Sequence, residues 1–119
     1  MISKKYNIFP LSSRKLFGEV RKNGKSLNLK YGFAKYLNSF GTGGVSITFV
    51  ISSKTIKHAV DRNKVRRRLK ASLVEVYKEG FSSKKVFAMV YYVYKRPDIL
   101  LYRKYKEEMH GLLNNIYCK

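Results

Sequence analysis

Tryptophan is absent, cysteine occurs once (Cys118), histidine twice, and seven acids face 26 Lys plus Arg. Each scarcity excludes something. A lone cysteine closes no internal disulfide and builds no cysteine metal cluster, so an intracellular setting is expected. No apolar run approaches the roughly 20 residues needed to span a bilayer. The start, Met1-Ile2-Ser3-Lys4-Lys5-Tyr6, lacks the apolar core of a signal peptide. The expectation is therefore a cytoplasmic protein without a membrane partner. His58 and His110 stand far apart in the chain and suggest no hydrolytic pair. The acids Glu19, Asp61, Glu75, Glu79, Asp98, Glu107 and Glu108 show no metal-ligand spacing and no two-metal cluster. Gly41-Thr42-Gly43-Gly44 falls between strands with no helix after it, so it reads as a turn and not a phosphate cradle. Neither catalytic groups nor a protein-bound metal are expected.

What the chain has in excess is positive charge. A formal +19 on 119 residues opposes compaction by self-repulsion and calls for a polyanionic partner. Nucleic acid is the first candidate and an anionic membrane surface the second. The length fits a single domain over residues 1–119, and a hydrophobic fraction of 45%, with ten Tyr and seven Phe, suffices for a core.

The charge concentrates between Lys54 and Lys70, where Lys54, Lys57, Arg62, Lys64, Arg66, Arg67, Arg68 and Lys70 face one acid, Asp61. Runs like this are often disordered or plainly solvated. Here Val65, Leu69, Leu73 (or Ser72) and Val76 recur at helical spacing, so the segment docks as a helix along one edge. Asn63, Arg66, Arg67 and Lys70 fall on one side of that stripe, and Lys64 and Arg68 on the other. Like charges at i,i+4 cost an isolated helix a few tenths of a kcal/mol each. A phosphate-bearing partner reverses that sign, and Arg suits phosphate through its planar fork.

Around this segment the pattern is helix, strand, strand, helix, strand, helix, with room for an early short strand. Residues 1 to 11 read as an extended basic and aromatic arm. Ser12 or Ser13 caps a helix over about 13 to 22, stopped by Asn23-Gly24. Its Phe17 is either core or a side chain facing a binding cleft. Leu27 to Leu37 reads as one strand with Leu29, Tyr31, Phe33 and Lys35 on one face. Val45 to Ser52 is a strand buried on both faces. The basic helix spans about His58 to Glu79, with Gly80 as its C-cap. Val86 to Tyr94 is a second central strand, broken by Lys95-Arg96-Pro97-Asp98. The last helix covers about Tyr102 to Tyr117, with Tyr102, Tyr105, Met109, Leu112 and Ile116 inward. A strand–helix–strand unit implies parallel neighbours. Helices on one face of a mixed sheet make a two-layer α/β (α+β) sandwich.

Val45 to Leu73 resembles the protein subunit of bacterial ribonuclease P. That family's signature has the form S-K-K-x-G-N-A-V-x-R-N-x-x-K-R-R-hydrophobic-R. Ser53, Lys54, Ala59, Val60, Arg62, Asn63, Arg66, Arg67, Leu69 and Lys70 occupy matching positions. Phe17, Val20 and Gly24-Lys25-Ser26 look like the family's first helix and turn, and the later strand and helix fall in order. The resemblance implies a fold akin to the second domain of ribosomal protein S5, with a left-handed crossover around the basic helix. It also implies the function: a protein component that binds a catalytic RNA subunit and the 5′ leader of precursor tRNA, assisting leader removal. Hydrolysis, with its Mg2+, would lie in the RNA, in a 1:1 ribonucleoprotein.

Carried over by position, Lys54, Arg62, Asn63, Arg66, Arg67 and Lys70 would contact RNA; Lys64 and Arg68 match in charge. Phe17, Phe33 and Lys35 would line a leader cleft between the basic helix, the first helix and the sheet. Arg21 stands where a second aromatic is usual, and Lys35 where Tyr is frequent, so this cleft would grip more by charge. Lys57-His58 replace the family's Gly-Asn, and Phe49 replaces a small residue. Two alternatives share the charge: a ribosomal or other structural RNA-binding protein, and a DNA-binding regulator using the basic helix in the major groove.

Overall fold

Along residues 86 to 94, Ala88, Val90, Tyr92 and Tyr94 are buried while Phe87, Met89, Tyr91 and Val93 are half-buried. This two-residue alternation is the pleat of a strand packed on both faces. The computed structural model describes residue 2, residues 4–41 and residues 43–117. Cys118, Met1 and Thr42 of the Gly-rich turn lie outside the described residues. The elements are β1 (Ile8–Pro10), α1 (Arg14–Asn23), β2 (Lys25–Asn28), β3 (Gly32–Phe40), β4 (Gly44–Val50), α2 (Ala59–Gly80), β5 (Val86–Tyr94) and α3 (Tyr102–Tyr117). They form a five-stranded mixed sheet in the order β1-β4-β5-β3-β2. β4 and β5 are parallel neighbours joined by α2, whereas β5 runs antiparallel to β3 and β3 to β2.

The second layer is the α2–α3 pair. Val65, Leu69, Ser72, Leu73, Val76 and Tyr77 of α2 are buried, as the helical spacing predicts. Each buried Leu or Val contributes about 1.5–3 kcal/mol relative to exposure. From α3, Tyr105, Met109, Leu112, Leu113 and Ile116 meet them over Val45, Ile47, Phe49, Val90 and Tyr92. This core also holds a carboxylate. Glu108 Oε2 accepts from the Tyr92 hydroxyl at 2.6 Å and the Tyr31 backbone N–H at 3.0 Å. Burial pushes its pKa up, although those hydrogen bonds favour the charged form.

Several expectations change. The arm adds a strand to the sheet: β1 pairs in parallel with β4, and Ile8 is fully buried. The single strand over Leu27 to Leu37 is a hairpin, because the chain turns at 29–31, where the Leu29 N–H donates to the Gly32 carbonyl at 2.9 Å. Gly32 is required there, since a Cβ would strike Val93 O and the Tyr92 hydroxyl. Gly80 is the last helical residue and Phe81 the C-cap, its N–H on Tyr77 O, because the buried Phe81 ring anchors the helix end. Helices do not lie on one face alone. Phe17 of α1 packs edge-on against Tyr91, 5.1 Å between centroids, while the neighbouring Tyr92 points to α3. So α1 crosses the face opposite α2 and α3.

Candidate nucleic-acid interface

Two surfaces follow from this arrangement. The first is the amino-terminal half of α2. Among the described residues, no acid comes within ion-pair distance of its cations, because the ion pairs involve Glu75, Glu79 and Asp98 instead. Lys54, Asn63, Lys64 and Arg67 are exposed; Arg62, Arg66, Arg68 and Lys70 are half-buried. Three of these arginines are already engaged. Arg62 Nη1 donates to Ile56 O at 2.9 Å and Lys57 O at 2.8 Å. Arg66 Nη1 donates to Asn63 Oδ1 at 2.9 Å, which sets its guanidinium plane. Arg68 Nη1 donates to Leu100 O at 2.7 Å, tying α2 to the approach to α3. The loop before α2 is built on Ser52, whose carbonyl accepts from the Thr55 and Ile56 N–H groups, and on buried Ile56. His58, at the N-cap, places no side-chain hydrogen bond on the first turn.

The second surface is a furrow of about 480 Å³ lined by Gly18, Arg21, Lys22, Phe33, Lys35 and Tyr91. Its floor is aromatic: Phe33 and Tyr91 meet edge-on at 6.5 Å, and Phe17 buttresses Tyr91. Its rim is cationic. Lys35 Nζ donates to the Arg21 carbonyl at 2.9 Å, fastening α1 to β3, and the Arg21 guanidinium lies 6.0 Å from the Phe17 ring. Lys95 covers Phe33 at 5.4 Å. An aromatic floor with basic walls is the design that holds single-stranded nucleic acid without reading sequence.

Of the expected cleft residues, Arg21, Phe33 and Lys35 line the furrow and Phe17 supports it from behind Tyr91. The basic helix does not wall it, contrary to expectation, because α1 lies on the other face of the sheet from α2. The two surfaces share an end of the sheet instead. Thr48 pairs with Tyr91 and Val50 with Val93, and the chain leaves that end of β4 to enter α2. Tyr91, Gly18, Lys22 and Lys95 were missed. Tyr91 stands in the run read as a second central strand, and its period-two neighbours Phe87, Met89 and Val93 are apolar, so alternation gave no sign of an open face.

Comparison with known proteins decides the family. The family model described as Ribonuclease P matches residues 7–117. The chain belongs to the Ribonuclease P family. The solved ribonuclease P protein of Thermotoga maritima superposes with a TM-score of 0.68 at 19% identity, covering 89% of this chain and 96% of that one. That of Staphylococcus aureus gives a TM-score of 0.65 at 15% identity, covering 90% and 94%. No curated protein matches in sequence. The mixed sheet with three helices is thus the ribonuclease P protein fold. Membership places the chain as the ribonuclease P protein component, in tRNA processing, with ribonuclease P RNA and precursor tRNA as its partners in general terms. No described helix is long and apolar enough to cross a membrane.

Proposed function

We propose that this ribonuclease P protein works by division of labour across its sheet. The α2 surface, with Lys54, Arg62, Asn63, Lys64, Arg66, Arg67, Arg68 and Lys70, grips the phosphates of the RNA subunit. The furrow of Phe33, Tyr91, Arg21 and Lys35 holds the unpaired 5′ leader of precursor tRNA. The observation that carries this reading is the furrow itself, aromatic below and cationic above, at the sheet end from which α2 departs. The chemistry then belongs to the RNA subunit. Among the described residues no three His, Cys, Asp or Glu side chains gather to hold a metal. Leader and RNA subunit engage one copy of the chain at opposite faces, which favours a 1:1 particle in the cytoplasm, where precursor tRNA is processed.

The test is reconstitution of the full chain with a ribonuclease P RNA and a precursor tRNA at limiting magnesium. The chain alone should leave the substrate intact, and the mixture should release the leader at a magnesium concentration where RNA alone is slow. Cleavage by RNA alone that is unaffected by the protein would overturn the reading.

A further inference from the structure

A third feature is used by neither surface. Where α2 passes the start of α3, a hollow of about 310 Å³ is lined by Lys64, Arg67, Arg68, Ala71 and Tyr102. Tyr102 is held in place: its hydroxyl donates to Glu75 Oε2 at 2.6 Å, and Lys106 Nζ binds Glu75 Oε1 at 2.9 Å. Arg68, bonded to Leu100 O, fixes the opposite wall. Leu101, the residue before Tyr102 in the chain, is 63% exposed. No acid lines the hollow, and Glu75 is occupied by the tyrosine hydroxyl and by Lys106.

We propose that this hollow takes one unpaired nucleotide of RNA, its base laid against Tyr102 and its phosphate held by Lys64 and Arg67. The inference rests on the reading that α2 faces RNA. Charge complementarity selects the occupant: among the described residues the cations of the rim form no ion pair, and a phosphate relieves their mutual repulsion. A planar aromatic face suits a base, which stacks whatever its identity. The hollow borders α2, on the sheet face opposite the furrow, so its nucleotide is not the stretch of leader lying in the furrow.

Affinity of the full chain for a ribonuclease P RNA, titrated against salt, tests this with Tyr102→Leu, Tyr102→Phe and Lys64→Ala. Tyr102→Leu should weaken binding roughly 5- to 150-fold, the equivalent of one lost base stack. Its salt slope should stay unchanged, because no phosphate contact is lost. Tyr102→Phe keeps the ring and should bind within about twofold of the parent by the same stacking argument. Lys64→Ala should lower the salt slope by about one. Circular dichroism of each variant confirms folding. Photo-crosslinking with RNA carrying 4-thiouridine should attach at Tyr102. Parental affinity of Tyr102→Leu, or crosslinks that avoid this segment, would overturn the proposal while leaving the subunit reading intact. Failure of the parent chain to bind the RNA would instead overturn that reading.

Discussion

Arg62 and Ile56 are joined across the first turn of α2: the guanidinium Nη1 donates to the Ile56 carbonyl at 2.9 Å and to the adjacent Lys57 carbonyl at 2.8 Å. The Arg of the Arg-Asn pair therefore shapes its own loop as well as offering charge. Arg62→Ala should lower stability by about 1–2 kcal/mol, the scale of hydrogen bonds from a charged donor. Arg62→Lys keeps the charge but loses the fork. Urea unfolding should show it less stable than the parent while its salt-dependent RNA affinity stays closer to normal.

Arg66 and Arg67 hold no buried contact that the fold requires. Arg66→Ala combined with Arg67→Ala should unfold at the parental urea midpoint. Its RNA affinity should fall, and the slope of log affinity against log salt should decrease by about two, one for each lost phosphate contact. Filter binding over a range of KCl concentrations measures this. An unchanged slope would place RNA elsewhere on the protein.

The furrow makes a prediction about substrate length. Phe33→Ala should weaken binding of leader-bearing precursor tRNA by about 1–3 kcal/mol and leave mature tRNA unaffected. Tyr91→Ala removes the same kind of stacking but also unseats Phe17, so Tyr91→Phe serves as its control and should bind as the parent does. Fluorescence titration with leaders of graded length separates the two contributions.

Glu108 governs a pH effect on stability. Burial raises its folded pKa above the ordinary 4.5. Between 4.5 and that raised value the folded chain keeps a proton that the unfolded chain has released. Its stabilising contribution is complete below 4.5 and is lost as pH rises through the folded pKa. Glu108→Gln should flatten this part of the stability-versus-pH curve while retaining an acceptor for Tyr92 and Tyr31. Glu108→Ala should be the less stable of the two at any pH, because it leaves the Tyr92 hydroxyl buried without its partner, at about 1–3 kcal/mol. Urea midpoints from pH 4 to 8 give the comparison.

Helical periodicity and charge were legible in the sequence wherever one rule acted alone. The stripe Val65, Leu69, Leu73, Val76 located the buried edge of α2, and Tyr105, Met109, Leu112, Ile116 that of α3, whereas Tyr102, expected inward with them, is exposed at the helix start. Ser13 capped α1 as its chemistry suggests, its Oγ accepting from the Leu16 N–H at 3.4 Å. What escaped depended on contacts distant in sequence. The break in the strand at Leu29 to Tyr31 lacks a strong local turn signal, and Gly32 is explained by Val93 and Tyr92 sixty residues away. The choice of sheet face for α1 is invisible in a short helix with three apolar residues, since Phe17 suits either side. Tyr91 followed the same pattern: β-propensity placed it in a strand, and only packing shows that its face is half open. The cationic candidates on α2 were readable as charge, but not that three of the arginines are already bonded within the protein.

The strand order has a consequence for how the chain matures. β5 lies between β3 and β4, which do not pair with each other, and it is the last strand made. Until residue 94 emerges from the ribosome, the hairpin of β2 and β3 and the pair of β1 and β4 have no common seam, and each carries an open edge. Sheet closure through such distant pairings is slow, and unpaired edges invite misassembly. A nascent chain stopped before Val86 should therefore remain sensitive to protease along its whole length.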